Sequence, residues 1–235
     1  MQLQSAHHGL RETKGGQWEK AVSLLDGMRA AGVTPNVISY NAAISACEKG
    51  RQWEKAVSLL DGMRAAGVTP NVISYSAAIQ ACAVAEQPAT ALRLFQQAQA
   101  AIEPNVVSYN AVLDAVRTQH AGDARMLWLQ GVADGHYANF ERQEGGQPVL
   151  DLHGFSEGAA ETAVLWWLDE CMPAMQRPPN RVIIVTGWGK SRATIQHSDV
   201  RGHVGRVLDA RGVPTVATDN PGRVVVDAKA WRERE

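Results

Sequence analysis

Asp151 and His153 stand two residues apart in the tetrapeptide Asp-Leu-His-Gly, and on a strand both side chains would point to one face. Such a pair has the chemistry of proton transfer: the imidazole serves as general base or acid, and the carboxylate holds a water or a divalent ion. Further along, Gly187-Trp188-Gly189-Lys190 makes a glycine-rich loop whose backbone can approach a phosphate. Lys190 or Arg192 would offset the charge that develops on the oxygens of a reacting phosphate. Trp188 offers a ring for stacking on a base or for covering the end of a sheet. A plainer use exists for the same residues: Asp and His fix loops through hydrogen bonds, and Gly-x-Gly is common in turns. His197 and His203 are six apart across a loop and a helix, which is not metal-ligand spacing, and no metal site is expected there.

Those residues need a scaffold that brings two loops to one edge, and the C-terminal half of the chain supplies one. Apolar and β-branched runs at 149–152, 181–186, 213–218 and 223–226 read as short strands. A helix capped by Ser156 runs to about Met172 and carries Ala159, Ala163, Leu165, Trp166 and Leu168; Pro173, Pro178 and Pro179 end it. Trp166 and Trp167 are read as packing residues. A second helix covers about 200–211, and Asn220-Pro221-Gly222 turns the last two strands into a hairpin. The order βαβαββ predicts a small α/β layer with parallel pairs and one hairpin, which sets Asp151 and His153 beside the 187–190 loop. Gly145-Gly146-Gln147-Pro148 reads as the end of a linker over 141–148, the α/β domain as 149–228, and 229–235 as a tail.

Ahead of that linker the sequence repeats itself. Residues 17–40 recur unchanged at 52–75, an offset of 35. Pro35, Pro70 and Pro104 continue the series, as do Asn36, Asn71 and Asn105, and Tyr40, Tyr75 and Tyr109, although the last step is 34. Each unit reads as two helices. In the second helix Trp53, Ala56, Val57, Leu60 and Met63 recur at helical steps while Glu54, Lys55, Ser58 and Asp61 fall elsewhere. Gly67 is placed to cap it, and Pro70 to stop it. The first helix starts at Val37 with Asn36 as its cap and carries Ile38, Ala42, Ile44 and Ala46. Cys47 and Cys82 share one repeat position and read as packing residues. A third unit starts at Val106 and fades after Arg117; its second helix, over 121–131, keeps Ala124, Leu127 and Trp128. Units of this length cannot bury their apolar faces alone and must stack. Residues 17–140 are therefore expected as an all-α helical-hairpin solenoid, which makes the whole chain α+β. Residues 1–16, with His7 and His8, show neither the start of a repeat nor a cap; they read as a disordered or truncated leader, with further repeats expected upstream in relatives or in the full gene product.

Composition bounds the rest. With 235 residues, 45% hydrophobic and 20% charged, the chain is folded rather than disordered. A formal charge of −1, with no basic tail or acidic block, means that any nucleic-acid binding must come from local geometry. Three cysteines, an odd number without CxxC spacing, argue against a disulfide framework or a thiolate zinc site and suit a reducing compartment. No apolar run approaches the ~20 residues that span a bilayer, so no membrane partner is expected.

The motif V-x-S-Y-N, then A-x-x-S-A-C, then W-E-K-A-x-x-L-L-x-x-M-x-x-x-G-V-x-P-N, resembles the pentatricopeptide repeat over about 17–116. That resemblance implies single-stranded RNA as partner, one base per repeat read by two side chains from the inner groove. Asn41 with Asn71 then resembles a pyrimidine reader, and Ser76 with Asn105 an adenine reader. Asn110 would pair near Phe140, where the repeat has decayed, so no base is assigned to it. Asn36, Asn71 and Asn105 are equally in place as helix caps, a use compatible with reading. L-D-L-H-G, T-G-x-G and N-P-G-R are similar to the small MutS-related (Smr) domain. Pentatricopeptide proteins ending in that domain form an organellar class, and T-G-W-G-K resembles that subgroup. The resemblance implies RNA processing in a chloroplast or mitochondrion, alongside other proteins of that machinery. For some members it also implies endonuclease activity, here through Asp151, His153 and Lys190 with Mg²⁺, while Gly187, Trp188, Gly189 and Arg192 touch nucleic acid. Many bacterial relatives have T-G-x-G-x-H, whereas Ser191 stands at that histidine position, which favours contact over cutting. The alternative of another class is a protein-binding helical scaffold with a non-catalytic Smr domain.

Overall fold

In the computed structural model, which describes residues 17–117, 119–187 and 199–234, the repeats are helical pairs. The chain divides into two units, Met1–Gln119 and His120–Glu235. The first holds α1 (17–30), α2 (Val37–Lys49), α3 (Trp53–Ala65), α4 (Val72–Val84), α5 (Pro88–Ala101) and α6 (Val106–Val116). Helices α2, α4 and α6 start for one local reason: the side-chain oxygens of Asn36, Asn71 and Asn105 accept the N–H groups two and three residues on. Those donors have no partner inside the helix. Helix α3 ends in a Schellman motif, with Gly67 at φ +72, Val68 N donating to Met63 O at 2.9 Å and Gly67 N to Arg64 O at 3.0 Å.

Helices α2, α4 and α6 pack side by side, with α3 against α2 and α4, and α5 against α4 and α6. Repeat-equivalent residues build the core: Tyr40, Tyr75 and Tyr109, then Ile44, Ile79 and Leu113, then Cys47, Cys82 and Val116 are all buried. Burial pushes the Cys82 thiol up to about 11 and the Cys47 thiol upward as well, so both are packing atoms rather than nucleophiles. The buried phenols are hydrogen-bonded. Arg29 Nη2 donates to Tyr40 Oη at 2.5 Å and Arg64 Nη2 to Tyr75 Oη at 2.6 Å, each guanidinium lying over the same ring. Asp26 and Asp61 pair with these arginines from one turn away.

The second unit opens with α7 (Ala121–Ala133). Expected as the second helix of a third repeat, it groups instead with the sheet-bearing unit. The reason is aromatic: Trp128, fully buried, is ringed by Tyr137, Phe140, Phe155 and Trp166 at centroid separations from 4.6 to 6.2 Å. Among the described residues five strands follow, in the spatial order β1-β2-β3-β5-β4. They are β1 (Glu141–Glu144), β2 (Gln147–Asp151), β3 (Arg181–Val185), β4 (Thr215–Val216) and β5 (Arg223–Asp227). Residues 141–148, expected as a linker, are thus a β-hairpin. Gly145 and Gly146 at φ +59 and +78 form its mirror-image turn, which matches the strand twist. Among the described residues only β2 and β3 pair in parallel, where several parallel pairs were expected; the other ladders are antiparallel.

Helix α8 (Glu157–Trp166), a π-helical turn (Trp167–Cys171) and α9 (Met172–Ala174) connect β2 to β3, while α10 (Val200–Ala210) packs on α8 and β5. Leu150, Val182, Ile184 and Val226 share the buried face of the sheet. Trp167 is buried and donates its Nε1 to Glu141 Oε1 at 3.2 Å, so the Trp166-Trp167 pair packs as expected. The expected tail contains α11 (Ala228–Arg232), capped by Asp227 and anchored by buried Trp231.

Because 17–40 and 52–75 are identical, any difference between them is tertiary. Leu24 is 62% exposed and its counterpart Leu59 only 7%. Leu59→Ala should therefore lose about 2–4 kcal/mol in urea unfolding, against less than about 1 kcal/mol for Leu24→Ala. Equal losses would remove the claim that stacking, rather than local sequence, decides burial.

Candidate nucleic-acid interface

Each first helix presents an apolar and then a polar residue on one side. Ile38, Ile73 and Val107 are 73, 56 and 55% exposed, and Asn41, Ser76 and Asn110 follow them by three residues, hence on the same helix face. Sequence reading had counted Ile38 with the apolar set and did not single out the other two. Asn41 Nδ2 donates to Asn71 Oδ1 at 3.2 Å, so the structure joins the first expected pair. Asn71 Oδ1 also accepts from Ile73 N and Ser74 N at 3.1 Å each, which is the cap. Ser74, fully buried, donates to Asn41 Oδ1 at 2.6 Å and accepts from Asn71 N at 3.1 Å, holding both amides. Its signal was the serine of V-x-S-Y-N. The hydrogen bonds to the Asn71 carboxamide fall on Oδ1, which leaves Nδ2 to donate to a ligand. The cap therefore uses one end of this side chain.

Ser76 and Asn105 meet differently. Ser76 is buried with its hydroxyl 2.8 Å from Ser108 Oγ, while Asn105 Oδ1 caps α6 by accepting from Val107 N at 3.0 Å. Both line a cavity of about 270 Å³ together with Ile73, Val107, Glu48 and Gln80. Burial raises the Glu48 carboxyl, and Lys49 offsets this only in part. Asn110 is half-buried on α6 at the position that matches Asn41 and Ser76. Helix α4 carries no charged residue. No described helix is long and apolar enough to cross a membrane.

In the second unit the loops after β2 and β3 come together. His153 Nδ1 lies 3.1 Å from the point a Cβ on Gly187 would occupy, and Gly187 has φ +85. Thr186 N donates to Gly222 O at 2.9 Å, which ties the Asn220-Pro221-Gly222 turn to the same edge. Strand β2 ends at Asp151, so alternation does not carry to His153, and the expected shared face gives way to a turn. Asp151 Oδ1 accepts from His153 N at 3.1 Å, and Asp151 Oδ2 faces Arg142 Nη2 at 3.5 Å. Both carboxylate oxygens are engaged in fixing the loop. Arg142 and Arg223 each meet Glu144 on the same sheet surface, at 3.3 and 3.1 Å. Trp188, Gly189, Lys190, Ser191, Arg192 and His197 lie outside the described residues. His203 bridges Glu161 at 2.8 Å and Glu157 at 3.6 Å, stapling α10 to α8. Among the described residues no group of three or more His, Cys, Asp or Glu gathers as a cation site. Among the described residues of this edge, Asp151 has both oxygens engaged and no further carboxylate or imidazole joins it as a set of ligands for Mg²⁺.

Gly187→Ala should cost about 1–2 kcal/mol, because alanine disfavours φ +85, and its methyl should push the imidazole aside. NMR of the His153 ring would report that shift; unmoved resonances would show that the two loops do not meet. Glu48 gives a pH test. A carboxyl raised in the folded state contributes stability fully present below the ordinary value of 4.5 and lost as pH rises through the raised one. Glu48→Gln should thus be the more stable form at pH 7, with the gap closing as pH falls toward 4.5 in urea melts.

A model described as the PPR repeat family matches residues 35–84, and one described as the pentatricopeptide repeat domain matches 14–50. Among solved structures, the pentatricopeptide repeat protein PPR10 in complex with an 18-nt psaJ RNA element is 25% identical with a TM-score of 0.52, over 70% of this chain and 23% of that one. PPR10 from maize is 23% identical with a TM-score of 0.53, over 86% of this chain and 26% of that one. The PPR domain of Arabidopsis thaliana protein-only RNase P 1, in complex with tRNA, is 16% identical with a TM-score of 0.51 over 92% of each chain. The chain spans about a quarter of the length of the PPR10 structures it matches. Comparison with curated proteins gives no match. The tandem helical pairs matched by the family models are pentatricopeptide repeats.

Proposed function

We propose that the groove of α2, α4 and α6 binds single-stranded RNA with sequence selectivity, and that the second unit is an Smr-like domain that holds the same class of nucleic acid without cutting it. One observation carries the first part: an amide pair, Asn41 and Asn71, hydrogen-bonded at 3.2 Å and flanked by exposed Ile38 and Ile73. A nucleobase has apolar faces and polar edges. Apolar side chains one repeat apart, with amides beside them, complement both. PPR10, solved with an RNA element, is a parallel at 25% identity.

The Smr reading is supported by L-D-L-H-G, T-G and N-P-G-R converging on one sheet edge. Asp151, engaged with Arg142 and the His153 amide, favours contact over cleavage, as does Ser191 in the sequence. Organellar RNA processing, in chloroplast or mitochondrion and beside other proteins of that machinery, is the setting the same resemblance supports. An uncharged α4 implies few phosphate contacts and hence a shallow dependence of affinity on salt.

The test is fluorescence anisotropy with single-stranded RNA and matched DNA, using wild type and the Asn41→Ala/Asn71→Ser variant. Serine keeps the helix cap, so the fold survives while the amides are lost. RNA affinity should fall by about tenfold or more. Unchanged affinity would move the site to the second unit, and no binding at all would leave the protein-scaffold alternative.

A further inference from the structure

We infer that Arg201 is a phosphate contact of the second unit, holding the sugar-phosphate chain of a single-stranded RNA at the sheet edge where β2 and β3 end. This rests on the reading of that unit as one that holds nucleic acid. Sequence reading had looked to Lys190 and Arg192 for a cation at this edge and did not single out Arg201.

A chain of bonds places the side chain there. Thr186, the residue after β3, donates its N–H to Gly222 O at 2.9 Å. Arg201, in the first turn of α10, donates Nη1 to Pro221 O at 2.6 Å. The turn that receives it is closed by Gly222 N donating to Asn220 Oδ1 at 2.9 Å, so the accepting carbonyl is itself fixed. Because Val185 pairs with Arg223, this turn lies at the end of the sheet that Thr186 and His153 occupy.

What the guanidinium has left points to an anion. It carries several N–H donors in a planar fork, and one bond to a carbonyl leaves the others for a ligand. Arg201 is exposed, and among the described residues no ion pair joins it to a carboxylate, Asp219 of the turn included. Asp199, two residues before it, spends Oδ1 on Gly202 N at 2.9 Å as the cap of α10. Arg223, at the same sheet end, is engaged by Glu144, and Arg142 by Glu144 and Asp151. Paired N–H groups of arginine match two oxygens of a phosphodiester, and a side chain anchored beforehand loses less entropy on binding. Such a contact reads no base, since the phosphate oxygens are the same along any sequence.

Arg232 supplies an internal comparison. It donates Nη1 to Pro179 O at 2.6 Å, the same bond to the same kind of carbonyl, but Pro179 precedes β3 whereas the Arg201 anchor lies beyond its end. The two arginines share an anchor and differ in the end of the sheet they occupy. Ligands of open α/β sheets meet the carboxyl ends of parallel strands, which is the Arg201 end.

The experiment is a salt series read by fluorescence anisotropy, with the full chain and single-stranded RNA 24-mers of adenosine and of uridine. Wild type is compared with Arg201→Gln, Arg201→Lys and Arg232→Gln. Glutamine still donates to Pro221 O, so the turn keeps its anchor while the charge is lost, and urea melts verify each fold. Arg201→Gln should weaken both RNAs about threefold to tenfold near ~0.1 M salt and flatten the plot of log affinity against log salt by about 0.7, the share of one phosphate. Arg201→Lys should keep the wild-type slope, and Arg232→Gln should match wild type throughout. An unchanged slope in Arg201→Gln, or an equal loss in Arg232→Gln, overturns the assignment and leaves RNA binding by the groove standing. Absence of binding to either RNA overturns both.

Discussion

Each repeat buries a tyrosine phenol whose hydroxyl needs a partner inside the stack, and that requirement sets the register of everything else in the first unit. An unsatisfied buried hydroxyl costs about 1–3 kcal/mol, a large part of the margin by which a small helical array is stable. Arg29 meets Tyr40 and Arg64 meets Tyr75, so the second helix of one repeat is tied to the first helix of the next. Arg64 also donates to Gln97 Oε1 at 3.1 Å, which carries the tie one helix further. At the third junction Gln99 stands where the arginines stand, and Tyr109 packs edge-on against Phe95 at 4.8 Å. The bond changes there, but the inward direction of the ring does not.

A ring fixed inward decides where its neighbours point. Asn41, Ser76 and Asn110 directly follow Tyr40, Tyr75 and Tyr109, and one residue along a helix is a rotation of about 100°. The buried phenol thus holds the polar residue toward the groove, and the apolar residue two positions before the phenol lies on that side as well. Ser74 completes the arrangement from beneath, where its single hydroxyl fixes the orientation of Asn41. The Asn41 amide is thus held in one orientation by Ser74 and Asn71 before any ligand arrives.

Much of this was legible from the sequence because an unchanged 24-residue segment occurs twice, so caps, breaks and inward positions could be read against each other. The Asn–Pro junctions and the tyrosine series gave the helices their starts and their faces. Ile38 was harder. Grouped with Ile44 as apolar, it lies six residues away and so on another face, and its exposure becomes evident only once Tyr40 is known to be buried. Strand β1 was missed although Gly145-Gly146 is a hairpin signal, because Glu-Arg-Gln-Glu lacks any apolar alternation and sits on an exposed edge. Helix α7 kept enough of the repeat pattern to be assigned to it. Trp128, the residue that seemed to continue the pattern, is the one that the aromatic cluster of the second unit claims.

The second unit applies a similar economy to a different element. In open sheets, ligands meet the protein beyond the carboxyl ends of parallel strands, and among the described residues β2 and β3 are the one parallel pair. Their ends bring His153 against Gly187, while Thr186 is bonded to the turn that starts β5, so three chain segments converge on one edge. A hydrolytic centre would need Asp151 to orient the imidazole or hold an ion. Here it turns the backbone of His153 and faces Arg142, which stiffens the loop. A loop edge fixed in this way loses little further entropy when a ligand meets it.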